Sequence, residues 1–342
     1  MSNRRALITG VTGQDGTYLA EFLATKDYEI YGLARRSSAD ICQPIERLRL
    51  NNKIQLIHGD IRDHNAIERA LSISKPDEIY NLASQSHVGV SFECPEETKL
   101  VNYNAALFLI NSALKLNPTV KIYQASSSEM FGGAMESPQT EKTPLNPKSP
   151  YGESKVLAYL ECQKIRKVEG AFICSGITYN HESPRRSKNF VTRKITNSIA
   201  KIKVGQQSFF SVGNIYTKRD WGYAVDYIEA MWRMMQQNTP NDFIIATGIT
   251  HTVKDFIDTS AKSMDIKMEW VGSDINEKAI DTETGLVIVS IDKKFYRPTE
   301  PVNLVGDSSL AYITLGWKPT VNFKELVKIM SVHDLNSLTK HA

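Results

Sequence analysis

The chain has 342 residues, long enough for a cofactor-binding domain plus a smaller partner domain, and its formal net charge of +3 is small and unclustered. That balance gives no sign of a nucleic-acid-binding surface, and no apolar stretch approaches the ~20 residues that a membrane-spanning helix needs. The four cysteines lack the pair spacing of a metal site, and Met1 runs almost directly into an expected strand. We therefore expect reduced thiols, no metal, no targeting peptide and a cytoplasmic location.

The first elements along the chain predict a dinucleotide site. Residues 5–9 form an apolar stretch typical of a buried strand, and an apolar periodicity typical of a helix begins near residue 14. Between them lies a G-x-x-G-x-x-G motif made by Gly10, Gly13 and Gly16. A glycine turn in this context lets the backbone approach a pyrophosphate, which then binds free N–H groups at the helix N-terminus. The spacing is one residue longer than G-x-G-x-x-G, but both flanking elements that the motif requires are expected here.

The end of the second predicted strand, residues 28–33, indicates which dinucleotide binds. An NAD site usually carries an acidic residue about 20 residues past the glycines, where it binds the ribose hydroxyls. This chain has Arg35-Arg36-Ser37-Ser38 there instead. Paired guanidinium groups can bind a 2′-phosphate in bidentate fashion, so the sequence favours NADP. The alternative is a solvated basic turn.

Strands and helices alternate through the first half of the chain. Further strands are expected at 54–58, 78–82, 120–125, 171–177 and 243–247, and helices at 41–50, 63–74, 95–116 and 150–168. This pattern predicts an α/β fold with a doubly wound parallel (Rossmann) sheet, and a ligand across the carboxyl ends of its strands. Polar runs follow three of the strands, at 59–61, 83–87 and 126–129. They favour a shared site over three unrelated turns.

The helix expected at 150–168 carries the most informative pair of residues. Ser149 can cap this helix and Pro150 can be its first residue, so Tyr151 and Lys155 stand at i and i+4 on one face. A tyrosine has an ordinary pKa of ~10, too high for a base at neutral pH. Because a neighbouring ammonium group favours the phenolate and lowers that pKa, the pair predicts a tyrosine general base.

Past residue 177 the alternation weakens. The stretches 179–186 and 214–220 are polar, and helices are expected near 190–202 and 223–236. We expect a smaller, mixed C-terminal substrate domain. The cofactor domain then comprises 1–177 and 222–247, and the nucleotide-sugar domain 178–221 and 248–342. Arginines in these loops suit a diphosphate, although each one taken singly fits a surface role equally well.

These motifs resemble the extended short-chain dehydrogenase/reductases that modify nucleotide sugars, and within them the GDP-mannose 4,6-dehydratase family. The resemblance covers nearly the whole chain. It is carried by residues 10–16, 124–129, 180–186, 189–194, 219–222 and 296–298. The segment from 180 to 194 is specific to that family within the superfamily.

The resemblance implies roles at matching positions. Ser127, Glu129 and Tyr151 would be catalytic, and Lys155 would support the tyrosine and bind the nicotinamide ribose. The residues expected to bind the cofactor are Gly10, Gly13, Gln14, Asp15, Gly16, Arg35, Arg36, Ser37, Asp60, Ile61, Leu82, Ser84, Ser86, Lys155, His181 and Arg186. The residues expected to bind GDP-mannose are Ser86, Asn180, Val191, Lys194, Arg219, Arg297 and Glu300. The family also implies a homo-oligomer, dimer or tetramer, with the loop Arg35–Ser38 at an interface.

The chain departs from the family's usual residues at six positions. Ser127 stands where the family usually has threonine, Met130-Phe131 replaces Leu-Tyr, and Ser187-Lys188 replaces Gly-Glu. Glu97 stands where the family usually has a tyrosine that contacts the cofactor. Ser127 keeps the hydroxyl group. Because Glu97 cannot reproduce the tyrosine contact, that contact is not expected in this chain.

The implied reaction is a hydro-lyase conversion of GDP-mannose into GDP-4-keto-6-deoxy-D-mannose. Tyr151 takes the proton of the 4-hydroxyl while C4 hydride passes to NADP⁺, and Ser127 hydrogen-bonds the ketone. Glu129 removes the acidified C5 proton and releases the 6-hydroxyl as water, and the hydride returns to C6. A 4-epimerase needs no such acid. The alternatives are a sugar-nucleotide epimerase or reductase, including one that reduces the ketone to GDP-rhamnose, and a non-catalytic NADP-binding scaffold.

Overall fold

The computed structural model describes residues 3–36, 43–296 and 303–339. The strands in these ranges are β1 (Arg5–Thr9), β2 (Glu29–Ala34), β3 (Ile54–His58), β4 (Glu78–Asn81), β5 (Lys121–Ala125), β6 (Ile173–Thr178), β7 (Asn180–Glu182), β8 (Phe210–Val212), β9 (Lys218–Tyr223), β10 (Phe243–Ile245), β11 (Thr250–Thr252), β12 (Met268–Val271), β13 (Lys278–Asp281) and β14 (Val287–Ile291). The α-helices are α1 (Gln14–Ala24), α2 (Gln43–Leu50), α3 (His64–Ser74), α4 (Val88–Glu93), α5 (Pro95–Lys99), α6 (Ala105–Leu116), α7 (Pro150–Glu169), α8 (Val191–Lys203), α9 (Ala224–Met235), α10 (Val253–Ser263), α11 (Ser309–Leu315) and α12 (Phe323–Thr339). None of the helices in this part of the chain is both long and apolar enough to cross a membrane.

Seven parallel strands form the main sheet, in the order β3-β2-β1-β4-β5-β6-β10. Strand β1, the third from the β3 edge, pairs on one side with β2, Leu7 opposite Tyr31, and on the other with β4, Leu7 opposite Ile79. The strand order reverses between β1 and β4, which is the switch point at which ligands bind such sheets. The predicted doubly wound fold is confirmed.

An apolar core covers each face of this sheet. Successive residues of β1 point to opposite faces, so Ile8 joins one core and Leu7 the other. The first core includes residues of α1 and α9, and the second includes residues of α3, α6 and α7. A parallel sheet buried on both faces explains why its strands are apolar throughout rather than alternating.

Two smaller sheets form from later parts of the chain, β11-β9-β7 and β12-β13-β14-β8. A third core packs against them, with residues from α8, α10 and α12. Within it the rings of Trp221 and Phe256 meet edge to face, with centroids 5.3 Å apart. Strand β7 begins two residues after the end of β6 and pairs with β9, so these two strands, which carry several expected site residues, lie beside the main sheet.

The predicted elements of the main sheet lie within about two residues of their observed bounds, apart from one helix. The helix expected at 95–116 is instead α5, a π-helical turn at Leu100–Asn104 and α6, and α4 precedes it. The buried side chain of Asn102, inside the π turn, bonds to residues outside the helix. Because these bonds join residues that are far apart in the sequence, helical periodicity could not predict the π-helical turn.

A buried ion pair joins α8 to the C-terminal helix α12. Arg193 is 4% exposed and Asp334 is 2% exposed, and their side chains are hydrogen-bonded to each other. The Asp334 carboxylate also accepts a bond of 2.6 Å from the Thr196 hydroxyl. We expect Asp334→Ala to lower the free energy of unfolding by about 3–5 kcal/mol, because it leaves the Arg193 charge buried without a partner. Urea titration followed by circular dichroism measures this loss.

A matched control is Glu283→Ala, which breaks the exposed pair between Glu283 and Lys267 (3.2 Å). Since exposed pairs contribute at most about 1 kcal/mol, this variant should unfold close to the wild-type midpoint. Equal losses in the two variants would contradict the assignment of the Arg193–Asp334 pair to the stability of this core.

Candidate active site

Ser127 and Glu129 follow the carboxyl end of β5. Ser127 caps a short 3₁₀ helix, Ser128–Phe131, and its Oγ accepts the backbone N–H of Glu129 at 3.2 Å. The helix α7 approaches this turn at Gly152, where a Cβ would lie 2.7 Å from the Glu129 carbonyl oxygen. Glycine is thus needed here for close packing, and it brings Tyr151 to Ser127 and Glu129.

Tyr151 lies in the first turn of α7, as predicted. Ser149 caps the helix, accepting the Gly152 N–H at 3.1 Å, and Pro150 is its first residue. The Tyr151 phenol lies near Ser127 and Glu129, since both residues influence its pKa. Burial raises the pKa of Tyr151 to about 12, the Glu129 charge also raises it, and Ser127 lowers it. The prediction that a neighbouring ammonium lowers this pKa is wrong for this structure: desolvation dominates, and the charge that lowers the pKa is that of Arg186.

Lys155 lies one turn further along α7. Its Nζ donates to the carbonyl oxygen of Ala125 at 3.0 Å and lies 5.7 Å from the centroid of the Tyr151 ring. Burial lowers the pKa of Lys155 to about 8. The side chain still carries a positive charge at neutral pH, and it ties α7 to the end of β5.

The glycine turn after β1 forms an open cradle. Gly10 has φ of +67°, and a Cβ on Gly16 would lie 2.3 Å from the Gly10 carbonyl oxygen. Gly13 occupies the N-cap of α1 and supplies no side-chain cap. The backbone N–H groups at the start of α1 are thus left to a ligand, and the positive end of the helix favours an anionic one.

Asp15 in the first turn of α1 is paired with His181 of β7. His181 Nε2 lies 2.9 Å from Asp15 Oδ2, and its Nδ1 lies 2.8 Å from the Tyr179 carbonyl oxygen. Gln14 also joins α1 to β7 and to the residue that follows it. Its Nε2 donates to the His181 carbonyl oxygen at 3.0 Å, and its Oε1 accepts from the Ser183 hydroxyl at 2.8 Å. Predicted cofactor residues from the beginning and the middle of the sequence therefore meet at the start of α1.

The charges of Asp15 and His181 support each other. Burial alone would raise the pKa of Asp15, but the His181 charge and hydrogen bonds, with help from Gln14 and Arg186, bring it down to about 2. Burial alone would lower the pKa of His181, but Asp15 raises it above its ordinary value. The paired, doubly charged form is the one that this environment favours.

We expect Asp15→Asn to remove a pH-dependent part of the stability. The lowered pKa of Asp15 stabilises the fold above the pKa of this carboxylate in the unfolded chain, and that stabilisation is lost as pH falls towards 2. The raised pKa of His181 stabilises the fold below the pKa of this histidine in the unfolded chain, and that stabilisation is lost at higher pH. The difference in free energy of unfolding between wild type and variant should therefore peak between about pH 4 and about pH 6.5. Urea titrations across pH measure it, with Glu68→Gln, an exposed carboxylate of α3, as control. A difference that does not vary with pH would contradict the pairing.

Arg186 lies near the start of α1, where its charge contributes to lowering the pKa of Asp15. Its guanidinium stacks on Phe190, 3.6 Å from the ring centroid, and its Nε lies 3.4 Å from the Glu182 carboxylate. Within the described residues this buried Nε has no hydrogen-bond partner. The charges of Arg186 and Asp15 both influence the pKa of Tyr151. The catalytic turn and the glycine cradle are therefore parts of one site.

The carboxyl ends of β2 and β3 form the far end of the site. Arg35 and Arg36 are exposed just after β2. The pKa of Asp60 is lowered mainly by its hydrogen bonds to Arg62, and the Arg35 charge contributes to the lowering. Ile61 is buried in the second core. Ser37 and Ser38 lie outside the described residues. Arg62, which the sequence analysis did not single out, binds both carboxylate oxygens of Asp60.

Asn102 is a second residue that sequence reasoning missed. Its Oδ1 accepts from the Ser84 hydroxyl and the Gln85 N–H, both at 2.9 Å, and its Nδ2 donates to the Ser154 hydroxyl at 3.0 Å. Asn102 therefore fixes the loop after β4 against α7. Among the predicted cofactor residues of that loop, Leu82 is partly buried and Ser86 is exposed.

The predicted substrate residues lie on the elements of the smaller sheets. Asn180 is on β7, opposite Trp221 of β9, and Arg219 is buried on β9. Val191 and Lys194 are in the first turns of α8, where Lys194 Nζ lies 3.4 Å from the centroid of the Phe295 ring. Arg297 and Glu300 lie outside the described residues.

The positions that depart from the family pattern have three kinds of environment. Met130 and Phe131 are fully buried in a fourth apolar core, which fits a change of packing only. Ser187 and Lys188 lie in the turn before α8, where the Ser187 carbonyl accepts the Phe190 N–H at 3.1 Å. Glu97 forms an ion pair with Arg62.

Comparison with known proteins identifies the family. The sequence profile described as GDP-mannose 4,6 dehydratase matches residues 7–330. GDP-mannose 4,6 dehydratase from Homo sapiens is 47% identical over 333 residues, which covers 95% of this chain and 90% of that protein. The enzyme of the same name from Drosophila melanogaster is 44% identical over 344 residues, covering 98% of this chain and 87% of that protein.

Solved structures confirm the architecture. UDP-glucose 4-epimerase from Thermotoga maritima, crystallised with UDP-glucose, matches with a TM-score of 0.82 and 21% identity, covering 97% of this chain and 99% of that chain. A likeness at that identity establishes the fold alone. The profile match over most of the sequence and the relatives above establish more: this chain belongs to the GDP-mannose 4,6-dehydratase family.

Proposed function

We propose that this chain converts GDP-mannose into GDP-4-keto-6-deoxy-D-mannose with NADP as its cofactor. The observation that carries the proposal is the cluster at the end of β5: the Ser127 hydroxyl accepts the N–H of Glu129 at 3.2 Å, and Ser127 and Glu129 both influence the pKa of the buried Tyr151 phenol. A phenol, a hydroxyl and a carboxylate are therefore neighbours here. Oxidation at C4 followed by elimination across C5 and C6 needs those three groups, so the proposed class is a hydro-lyase.

Tyr151 is the proposed base for the 4-hydroxyl of the sugar. Burial raises its pKa to about 12, so the phenolate must be favoured by positive charge during the reaction. A bound NADP would supply the hydride acceptor for C4 and the hydride donor for C6, and its oxidised form would add positive charge. Lys155 adds a second positive charge 5.7 Å from the Tyr151 ring centroid. Ser127 donates to the oxygen that becomes the ketone.

Glu129 is the proposed acid–base group of the elimination. A ketone at C4 acidifies the C5 proton, and the Glu129 carboxylate takes it. The carboxylic acid that results then protonates the 6-hydroxyl, which leaves as water, and the regenerated carboxylate takes up a solvent proton, which it gives to C5 when hydride is added at C6. An epimerase that only oxidises and re-reduces C4 has no use for this residue, and this is why the cluster favours a dehydratase.

The residues at the carboxyl edge of the sheet fit a dinucleotide phosphate. The glycine cradle and the start of α1 offer backbone N–H donors to an anionic group. Two guanidinium groups, Arg35 and Arg36, follow β2, where an NAD site usually has an acid. These features support NADP over NAD.

Asn180 of β7, Arg219 of β9, and Val191 and Lys194 of α8 are proposed to receive GDP, and Ser86 the sugar. Residues 178–221 and 248–342 are proposed to form this substrate domain, and 1–177 with 222–247 the cofactor domain. We also propose a cytoplasmic homo-oligomer with the loop Arg35–Ser38 at an interface.

Mass spectrometry of purified protein incubated with GDP-mannose and NADP⁺ tests the proposal, with UDP-glucose and dTDP-glucose as controls. Loss of one water from GDP-mannose alone is the expected result. An unchanged mass with altered sugar stereochemistry would replace the proposal by an epimerase. A 6-deoxyhexose formed only with excess NADPH would add reduction to GDP-rhamnose, and no turnover with tightly bound NADP would favour a scaffold.

A further inference from the structure

Glu97 and Arg62 form an ion pair next to the carboxyl end of β3. Glu97 Oε1, on the short helix α5, lies 3.1 Å from Arg62 Nη1. Both side chains line an open groove of about 610 Å³, whose other lining residues are Glu96, Lys99, Leu100 and Asn104. At position 97 this family usually has a tyrosine that contacts the cofactor, and Glu97 is not expected to make that contact.

Arg62 in turn holds the carboxylate of Asp60. Its Nε donates to Oδ1 at 2.9 Å, its Nη2 donates to Oδ2 at 2.8 Å, and its backbone N–H donates to Oδ1 at 2.9 Å. A bidentate guanidinium–carboxylate pair fixes the plane of the carboxylate as well as its position. Asp60 is one of the residues expected to bind the cofactor, so its orientation matters for that site.

We propose that Glu97 and Arg62 are positioning residues for the cofactor: Glu97 holds Arg62, and Arg62 holds Asp60 in the orientation that receives the adenosine half of the dinucleotide. This inference rests on the nicotinamide cofactor of the proposed function. The chain thus replaces a direct contact from position 97 by an indirect one that passes through two side chains.

All three nitrogens of the Arg62 guanidinium are engaged by carboxylates, two by Asp60 and one by Glu97. Arg62 remains 37% exposed and Glu97 50% exposed. An isolated exposed pair contributes little, but a bidentate pair extended by a second carboxylate forms a network, the case in which surface charges do contribute. Without Glu97, the Arg62–Asp60 unit can swing towards solvent as one body.

Cofactor binding to Glu97→Gln, Arg62→Met and the double variant tests the inference. After copurified nucleotide is removed, dissociation constants for NADP⁺ and NAD⁺ are measured by calorimetry. We expect Glu97→Gln to bind about two- to fivefold more weakly and Arg62→Met about tenfold more weakly. The double variant should be no weaker than Arg62→Met alone, because Glu97 acts through Arg62. Both cofactors should weaken by the same factor, since they share the adenosine half.

Two further variants sharpen the result. Glu96→Gln makes the same charge change on the same helix and should bind as wild type, because no ion pair joins Glu96 to another residue in the described ranges. Arg62→Lys keeps the charge but not the bidentate geometry, and should resemble Arg62→Met more than wild type.

Three outcomes would overturn the inference. Wild-type binding by Glu97→Gln and Arg62→Met would show that the pair does not position Asp60, while the proposed cofactor would stand. A loss from Glu97→Gln that persists in the Arg62→Met background would show that Glu97 acts without Arg62. Wild-type protein that binds neither NADP⁺ nor NAD⁺ would remove the proposed cofactor itself, and this inference with it.

Discussion

Glu129→Gln should stop the loss of water from GDP-mannose while leaving the oxidation at C4 in place. Glutamine fills the same space but can neither take the C5 proton nor deliver one to the 6-hydroxyl. General acid–base groups contribute about 10²–10⁴ in rate, so dehydration should slow by that factor. Tyr151 and Ser127 are untouched, so reduced nicotinamide should accumulate in the variant. Single-turnover mass spectrometry and nicotinamide absorbance follow the two steps separately.

Solvent deuterium provides a second measurement for the same variant. In wild type, the proton exchanged at C5 passes through Glu129, so product formed in heavy water should carry deuterium there, and the variant should leave the C5 position unlabelled. Glu153→Gln makes the same substitution at an exposed site in the first turn of α7 and serves as the control. Dehydration by Glu129→Gln at a near wild-type rate would rule out the proposed elimination.

The parts of the site that could be predicted from the sequence are those fixed by local rules. A Ser-Pro start placed Tyr151 and Lys155 on one helical face, and Ser149 does cap that helix. The glycine turn after β1 was predictable because only glycine allows a φ of +67° at residue 10 without strain. These features depend on residues close in sequence, and the structure confirms them.

The parts that could not be predicted depend on distant contacts. Asn102 lies in a helical stretch by periodicity, yet its side chain joins Ser84 to Ser154, so the helix opens into a π turn. The Asp60–Arg62–Glu97 network joins residues 35 positions apart across two elements. The pKa of Tyr151 also depends on burial, which the i and i+4 spacing to Lys155 cannot reveal.

Tyr151→Phe should abolish both steps that Glu129→Gln separates. Phenylalanine keeps the ring of this residue, which is 8% exposed, but removes the hydroxyl. No group is then placed to take the 4-hydroxyl proton, so C4 oxidation should slow by about 10²–10⁴, and elimination should fail because no ketone forms. Neither reduced nicotinamide nor dehydrated product should appear in a single turnover.

The matched control is Tyr159→Phe, a buried tyrosine two turns further along the same helix whose hydroxyl accepts from Gln163 Nε2 at 2.8 Å. It loses a buried phenol without touching the site, so its turnover should stay near wild type even where its stability falls. Cofactor affinity, measured by calorimetry, should be unchanged in Tyr151→Phe. A variant that lacks the Tyr151 hydroxyl yet reduces nicotinamide as fast as Glu129→Gln would show that another group deprotonates the sugar, and the two-residue division of labour between Tyr151 and Glu129 would have to be abandoned.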